Sequence, residues 1–263
     1  MADTVIYDVS EGLATVTLNR PDAMNSLNTE LKVALRDTLQ EAAADPGVRA
    51  VLLTGSGKAF CVGQDLKEHS EALREHGGGG ALNTVEEHYN PITLALAGMP
   101  KPVVAGVNGA AAGAGAGFAF AADYRVVADT AAFHTAFAGV ALSTDSGISW
   151  TLPRLVGAGR AAELLMLPRP VKAQEALELG LANKVVPAGE LAAEAEAVAR
   201  QLAQGPTAAY AAIKEAVAYG SAHSLADTLG KEAELQTRAG DSEDHTIAVE
   251  SFLKKEQPRF TGR

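Results

Sequence analysis

Residues 108–123 read NGAAAGAGAGFAFAAD, a run of glycine, alanine and phenylalanine between Asn108 and Asp123. The apolar residues 103–107 before it are typical of a buried strand. Gly113, Ala114 and Gly115 then form a helix start with almost no side chains. The first N–H groups of a helix have no partner inside the helix and attract negative charge, and small residues let a ligand oxygen approach them. Tight packing of the helix on a sheet would favour the same residues, so both interpretations stay open.

Two other uses of this stretch are excluded by its content. A dinucleotide-binding G-x-G-x-x-G/A fingerprint needs a small third residue, but the two possible registers end on Phe118 and Phe120. No G-x-x-x-x-G-K-[ST] motif occurs in the chain. The uncharged run 102–122 is long enough to cross a bilayer. Its alanines and glycines contribute little transfer free energy, and we therefore expect no membrane contact.

The composition is that of an ordinary globular enzyme-sized chain. It has 263 residues, 21% of them charged, and a net charge of -10, which argues against a nucleic-acid partner. Its one cysteine, Cys61, cannot form an internal disulfide. Residues 1–10 lack the basic and apolar regions of a secretion signal. We therefore expect a protein of the reducing cytoplasm.

A rhythm of strand, glycine-bearing turn, helix and strand runs through the first two thirds of the chain and predicts an α/β fold. The patterns predict a hairpin over 5–18, a helix after Asn28, a helix over 85–97, and strands over 48–54, 103–107 and 124–128. Residues 67–84 are polar and glycine-rich, which predicts a mobile surface loop. Helices are predicted over 189–204, 207–219, 224–238 and 243–255, with alanine-rich faces that could contact another subunit or the core.

Four segments together resemble the crotonase, or enoyl-CoA hydratase/isomerase, superfamily: AFCVGQDL at 59–66, KPVVAGVNGAAAGAGAG at 101–117, LSTDSGISWTLPRLVG at 142–157, and the terminal QPRFTGR. Within it, GQDL, HYNP at 88–91 and FTGR look most like the epoxyphenylacetyl-CoA isomerases of bacterial phenylacetate breakdown. The resemblance implies a spiral of ββα turns over residues 1–195. It also implies a helical oligomerisation region over 196–263 that forms a homotrimer or hexamer.

The resemblance further implies how a substrate is held. This family binds an acyl-CoA thioester with its carbonyl oxygen between two backbone N–H groups, which by motif position belong here to Gln64 and Ala114. Two such donors stabilise an enolate by about 3 kcal/mol each. Coenzyme A is part of the substrate, so no separate cofactor is expected. The implied contacts to the acyl-CoA are Met24, Asn25, Ser26, Ala59, Phe60, Gly63, Asp65, Leu66, Gly113, Phe137 and, from a neighbouring subunit, Phe260.

The residues at the expected catalytic positions favour one reaction over another. Hydratases of this family use two glutamates, and the matching positions here are Gly117 and Phe137, which cannot transfer a proton. Asp145 stands where the isomerases carry their single catalytic aspartate. An aspartate before Ser-Gly also commonly caps a helix. Thr144 and Ile148 replace a proline and a glycine of the isomerase pattern, which leaves the shape of the pocket open.

We therefore expect an acyl-CoA isomerase in which Asp145 is the acid/base and an apolar wall raises its pKa. It would convert 3-enoyl-CoA to 2-enoyl-CoA or rearrange epoxyphenylacetyl-CoA. Another acyl-CoA reaction, including hydration, is the alternative within the family, and a noncatalytic acyl-CoA-binding protein is the alternative outside it. His69 and His76 are expected on a solvated face, and His134 in the core. With one cysteine and no H-E-x-x-H spacing, no metal is expected.

Overall fold

The protein is described by a computed structural model that covers residues 3–263. Its strands are β1 Val5–Ser10, β2 Leu13–Leu18, β3 Ala50–Gly55, β4 Ala59–Cys61, β5 Val103–Val107, β6 Ala110–Ala112, β7 Tyr124–Ala128, β8 Ala132–His134, β9 Val171–Lys172 and β10 Lys184–Val186. Its α-helices are α1 Thr29–Ala44, α2 Leu66–Ala81, α3 Asn90–Gly98, α4 Ala114–Ala121, α5 Ile148–Val156, α6 Ala158–Met166, α7 Ala173–Glu178, α8 Leu191–Ala203, α9 Thr207–Gly220, α10 Leu225–Gly240 and α11 Glu243–Lys254.

The strands form two sheets that the chain visits alternately. Within the described residues one sheet has the order β1-β2-β3-β5-β7-β10 and the other β4-β6-β8-β9. The chain passes from β3 to β4, from β5 to β6 and from β7 to β8, so that each turn contributes one strand to each sheet. Helices α2 and α4 follow β4 and β6. This repetition is the predicted spiral of ββα turns, and the predicted α/β fold class is confirmed.

The inner strands of the larger sheet, β3, β5 and β7, are largely buried because they are apolar and a helix covers them. From β2 to β10 the strands run parallel, and all five residues of β5 are buried, as expected of parallel strands covered on both faces. A β carbon on Gly106 of β5 would lie 3.1 Å from Cβ of Ala195 in α8. Helix α8 thus packs closely on this sheet. The predicted division at residue 195 falls inside α8, and the two regions it separates stay a prediction.

The prediction of a mobile loop over 67–84 is wrong, because most of this segment is helix α2. The Asp65 carboxylate caps the helix, and the Glu68 carboxylate accepts a hydrogen bond of 2.9 Å from the Thr29 N–H of α1. These two anchors outweigh the low helix propensity of the four consecutive glycines. The glycines act locally instead, since Gly77 has a φ of 68° and kinks the helix.

The C-terminal third is helical as predicted, in α8 to α11. The chain end folds back onto α11, where the buried Asp244 carboxylate accepts hydrogen bonds from the N–H groups of Thr261 (2.6 Å) and Gly262 (3.0 Å). The Arg49 guanidinium donates to the carbonyl oxygen of Phe260 at 3.0 Å. In residues 3–263 no helix has both the length and the apolarity that crossing a bilayer requires.

Candidate active site

The candidate site forms where three neighbouring strands end. Strands β4, β6 and β8 are adjacent and parallel, so their carboxyl ends meet at one edge of the smaller sheet. Gln64 follows β4, Ala114 follows β6, and Phe137 follows β8. Ligands of open parallel sheets bind beyond the carboxyl ends of the strands. The topology therefore brings together three residues that lie far apart in the sequence.

Two glycines let the segments after β4 and β6 touch through their backbones. Gly63 and Gly113 have φ values of +83° and +51°, which disfavour other residues. A β carbon on Gly63 would lie only 2.9 Å from the carbonyl oxygen of Ala112, and 3.6 Å from the amide nitrogen of Ala114. One on Gly113 would lie 4.0 Å from Cα of Gly63. A side chain at position 63 would therefore separate the two segments.

The N–H groups of Gln64 and Ala114 are left without protein acceptors among the described residues. Leu27 occupies the opposite side of the chain at Gln64, because its N–H donates to the carbonyl oxygen of Gly63 (2.8 Å) and its carbonyl accepts from Asp65 (3.2 Å). Ala114 begins α4, and the first N–H groups of a helix lack partners within it. Both predicted oxyanion donors are therefore free to bind a ligand oxygen.

A cavity of about 430 Å³ adjoins both donors and Asp145. Its lining includes Gly63, Gln64, Leu66, His69, Leu73, Leu82, Thr84, Val85, Tyr89, Gly113, Ala114, Phe137, Val140, Leu142 and Asp145. A second cavity of about 510 Å³ lies beside α5 and α9, but none of the predicted site residues lines it. The first cavity is therefore the candidate active site.

The side chain of Asp145 does not cap a helix. The N-cap residue of α5 is Gly147, and no side chain accepts a capping hydrogen bond at this end of the helix. Asp145 meets the helix only through its backbone carbonyl oxygen, which accepts a hydrogen bond of 3.1 Å from the Ile148 N–H. The Asp145 carboxylate instead accepts a hydrogen bond of 2.8 Å from the Ser146 hydroxyl. Burial raises the pKa of Asp145, and the Ser146 hydrogen bond opposes this rise. The carboxyl group is thus available to the cavity.

Tyr89 is a cavity residue that the sequence analysis did not single out. Its side chain is buried, and its hydroxyl donates a hydrogen bond to Oε1 of Gln64. Burial raises the pKa of Tyr89, and the negative charge of Asp145 adds to the shift. Tyr89 therefore stays protonated and fixes the Gln64 side chain. It is the tyrosine of HYNP, a motif that entered the sequence analysis only through the family resemblance.

The two positions that hold glutamates in hydratases are filled differently here. A β carbon on Gly117 would lie 2.7 Å from Cβ and 2.8 Å from the carbonyl oxygen of Ser146. Helix α4 therefore packs directly on the residue that follows Asp145, without room for a side chain. Phe137 is buried and lines the cavity, where it contributes apolar surface.

Several residues predicted to contact coenzyme A lie outside the cavity lining, and Asn25 among them supports the segment that forms its wall. The buried Asn25 side chain donates to the carbonyl oxygens of Ser56 (3.0 Å), Ala59 (2.8 Å) and Phe60 (3.1 Å), and so holds the segment that leads to Gly63. Of the predicted contacts, those outside the cavity lining are Met24, Asn25, Ser26, Ala59, Phe60, Asp65 and Phe260. Their contacts with coenzyme A stay a prediction.

Asp65 links the segment that contains Arg20 and Ser26 to the start of helix α2. Its carboxylate accepts hydrogen bonds of 3.1 Å from both the Arg20 guanidinium and the Ser26 hydroxyl. Burial would raise the pKa of Asp65, but these hydrogen bonds hold it below its ordinary value. Asp65 thereby joins the segment around Ser26 to the start of α2, one residue after Gln64.

The exposure of the histidines was predicted correctly at one position and wrongly at another. His76 is exposed as expected, but the expectation that His69 lies on a solvated face is wrong, because His69 lines the cavity and its Nδ1 is buried. The polar sequence around His69 concealed the apolar surface that α2 turns toward the cavity. His134 is half-buried in β8, and its carbonyl oxygen accepts a hydrogen bond from Gly113.

Comparison with known proteins agrees with this architecture. Residues 8–263 match the family model described as enoyl-CoA hydratase/isomerase. A Rhodobacter capsulatus protein named a probable enoyl-CoA hydratase is 44% identical over 99% of this chain and 98% of its own length. The 1,2-epoxyphenylacetyl-CoA isomerase of Escherichia coli is 39% identical over the full length of both chains. A crystal structure assigned to the enoyl-CoA hydratase/isomerases, from Mycobacterium abscessus, superimposes with a TM-score of 0.95 at 46% identity, covering 98% of this chain and 100% of the other.

The chain belongs to the enoyl-CoA hydratase/isomerase family, the crotonase superfamily. Family membership, which the sequence motifs predicted, is confirmed over nearly the whole chain.

The contact between Gly117 and Ser146 gives a first testable prediction. Gly117→Ala should lower the free energy of unfolding by about 1–3 kcal/mol, because the added methyl group overpacks a closed contact. The melting temperature should fall by about 2–4 °C for each kcal/mol. Gly159→Ala is the matched control, since a β carbon there meets open space. Equal melting temperatures for both variants would contradict the close packing of α4 on Ser146.

Proposed function

We propose that the protein is an acyl-CoA isomerase in which Asp145 transfers a proton and the N–H groups of Gln64 and Ala114 hold the thioester oxygen. One observation carries the proposal: two backbone donors without protein acceptors and a single carboxyl group adjoin the same cavity. The substrate would be a 3-enoyl-CoA, converted to a 2-enoyl-CoA, or an epoxyphenylacetyl-CoA that rearranges. Both begin with loss of a proton next to the thioester.

The chemistry follows from these groups. The Asp145 carboxylate takes the α-proton, the electrons of the broken C–H bond move onto the thioester oxygen, and the two N–H groups stabilise the resulting enolate. The proton now on Asp145 then returns to the γ-carbon, which leaves the double bond between the α- and β-carbons. No atoms are gained or lost, so the reaction needs no redox cofactor. The raised pKa of Asp145 makes the carboxylate a stronger base for the first step.

Two observations favour isomerisation over hydration. Addition of water in this family uses two glutamates, and the matching positions here hold Gly117, where a side chain has no room, and the apolar Phe137. The full-length relative from Escherichia coli is named an isomerase, as is a 35% identical Streptococcus mutans protein that acts on an acyl-carrier-protein substrate. The name of the Rhodobacter capsulatus relative makes enoyl-CoA hydration the second candidate.

Replacing Asp145 tests the proposal. Asp145→Asn should reduce isomerisation of a 3-enoyl-CoA, and exchange of its α-proton with deuterated water, by about 10²–10⁴-fold, because an amide cannot accept the proton. Formation of the conjugated thioester can be followed by absorbance and the exchange by NMR. Asp241→Asn, at the exposed residue directly after α10, is the matched control and should behave as wild type.

The same assays separate the other possibilities. Near-normal isomerisation by Asp145→Asn would show that another group moves the proton. Binding of acyl-CoA by the wild type without α-proton exchange would indicate a noncatalytic binding protein. Hydration of crotonyl-CoA at a rate above that of isomerisation would establish the second candidate.

The hydrogen bond from Ser146 gives a pH-dependent prediction. It stabilises the charged form of Asp145, so its removal in Ser146→Ala should raise the pKa of Asp145 further. A base works only when deprotonated, and the acid limb of the kcat/KM profile for a 3-enoyl-CoA should therefore move to higher pH. Ser149→Ala, on the exposed side of α5, should leave the limb in place. A limb that stays fixed or moves to lower pH in Ser146→Ala would exclude this role.

We also propose that copies of this chain assemble through the C-terminal helices, as a trimer or hexamer. Large apolar side chains are exposed there, among them Leu225 (75%), Phe252 (82%) and Leu253 (75%), and exposed apolar patches commonly mark interfaces. The double variant Phe252→Ser/Leu253→Ser should reduce the molar mass measured by light scattering after size-exclusion chromatography. Lys254→Ser/Lys255→Ser, at the adjacent exposed positions, should not. A monomeric wild type would contradict the proposal.

A further inference from the structure

Strand β4 has one residue more than its neighbour β6 between the two pairs of residues that join them. Ala59 pairs with Ala110, whereas Cys61 pairs with Ala111. Phe60 is therefore an extra residue and forms a β-bulge. Bulges are over-represented next to active sites, where they change the aim of the residues that follow.

The bulge decides which residues lie level with each other beyond the two strands. Counted from the second pair, three residues on each strand lead to Gln64 and to Ala114, whose N–H groups are the proposed oxyanion donors. Counted from the first pair without a bulge, Gln64 would lie level with Gly115 instead. A β carbon on Gly113 would lie 4.0 Å from Cα of Gly63, as the bulged count requires. The bulge thus brings the two donors side by side.

Two asparagine side chains hold the backbone at this bulge. The Asn25 amide donates hydrogen bonds to the carbonyl oxygens of Ala59 (2.8 Å) and Phe60 (3.1 Å). The Asn108 amide donates to the same oxygen of Ala59 (3.0 Å) and to that of Gly57 (3.1 Å). Asn108 lies in the turn between β5 and β6. The start of β4 is therefore tied to the start of β6 by side chains from two other segments.

The environment of Asn25 requires an amide. Its Oδ1 accepts a hydrogen bond of 2.8 Å from the Arg20 N–H, so Nδ2 faces the carbonyl oxygens. The side chain is fully buried, and the φ of +54° is one that asparagine adopts more readily than most residues. An aspartate of the same shape would place an oxygen without a proton against those carbonyl oxygens. The bulge would then lose its donor and gain a repulsion.

We propose that Asn25 and Asn108 are positioning residues that set the register of β4 against β6 and thereby hold the N–H groups of Gln64 and Ala114 around one ligand oxygen. This inference rests on the proposed function, because it takes these two N–H groups as the donors to the thioester. Both asparagines lie outside the cavity lining, so they act through the backbone. A displacement of about 1 Å at a stabilising group can reduce a rate about 100-fold.

Binding of a saturated thioester reports on the donors without turnover. The probe is butyryl-CoA labelled with ¹³C at its carbonyl carbon, whose NMR signal moves downfield when hydrogen bonds polarise the carbonyl. The signal should move downfield on binding to the wild type. Asn108→Ala and Asn25→Asp should each reduce this movement about twofold, because one of the two donors no longer lies level with the oxygen.

The same variants should separate binding from chemistry. Exchange of the α-protons of butyryl-CoA with deuterated water should slow about 10- to 100-fold, because the enolate needs both donors. The dissociation constant measured by calorimetry should change less than about threefold, because the donors act mainly on the transition state. Asn108→Ala is the milder change, since Asn25 still donates to Ala59, and it keeps the test intact if Asn25→Asp does not fold.

Asn183→Ala is the matched control. It removes an asparagine hydrogen bond of 2.9 Å to the backbone of β7 in the larger sheet. Its melting temperature should fall while the ¹³C signal of the bound thioester stays at the wild-type position. A merely stabilising role of Asn25 and Asn108 would have this same signature.

Two outcomes would overturn the positioning role: a wild-type ¹³C signal in both folded variants, or an equal change in Asn183→Ala. Absence of the downfield movement in the wild type would overturn the oxyanion donors of the proposed function, and this inference with them. The movement should persist in Asp145→Asn. The role of the two asparagines is thereby tested separately from that of the acid/base.

Discussion

The backbone contact between Gly63 and Gly113 is the constraint on which the site depends. It needs two neighbouring strands of the smaller sheet, β4 and β6, to end at the same edge, and it needs both following residues to adopt a left-handed backbone without a side chain. The spiral of ββα turns supplies the first condition and the glycines supply the second. The buried Asn25 side chain then fixes the segment before Gly63, because it donates hydrogen bonds to the carbonyl oxygens of Ala59 and Phe60.

The sequence predicted the fold well where the spacing of the apolar residues and the turn or capping residues at the ends of an element agreed. The strands over 48–54 and 103–107 and the C-terminal helices were predicted from their patterns, and the four motifs identified the family. The three-residue strands β4 and β6, which lead to Gly63 and Gly113, are too short to give a pattern and were not predicted. The roles of Gln64, Ala114 and Asp145 come from motif position and stay a prediction. Residues 67–84 could not be predicted, because four consecutive glycines lower the local helix propensity while the anchors of α2 lie outside the segment, at Asp65 and Thr29. His69 was misplaced for the same reason, since its burial depends on the helix that holds it.

Tyr89 and Ser146 illustrate a second limit of sequence reasoning. Neither has a distinctive spacing, and each acts through a contact with a residue that the motifs did identify: Tyr89 with Gln64, and Ser146 with Asp145. Supporting residues of this kind become visible only when the neighbours are known in three dimensions. They are also where related enzymes with the same proposed oxyanion donors can differ in the basicity of the proposed acid/base and in the position of the donors.

The contact of Gly117 with Ser146 has a consequence for how reactions in such a site can diverge. A carboxylate at position 117 and the present course of the chain after Asp145 compete for the same space. A single Gly117→Glu substitution toward the hydratase pattern would displace Ser146, the residue next to the proposed acid/base Asp145, before it supplied a further carboxylate. Exchange of one chemistry for the other therefore requires coordinated change in two segments, α4 and the loop before α5, and intermediates that change only one of them would be impaired in both reactions.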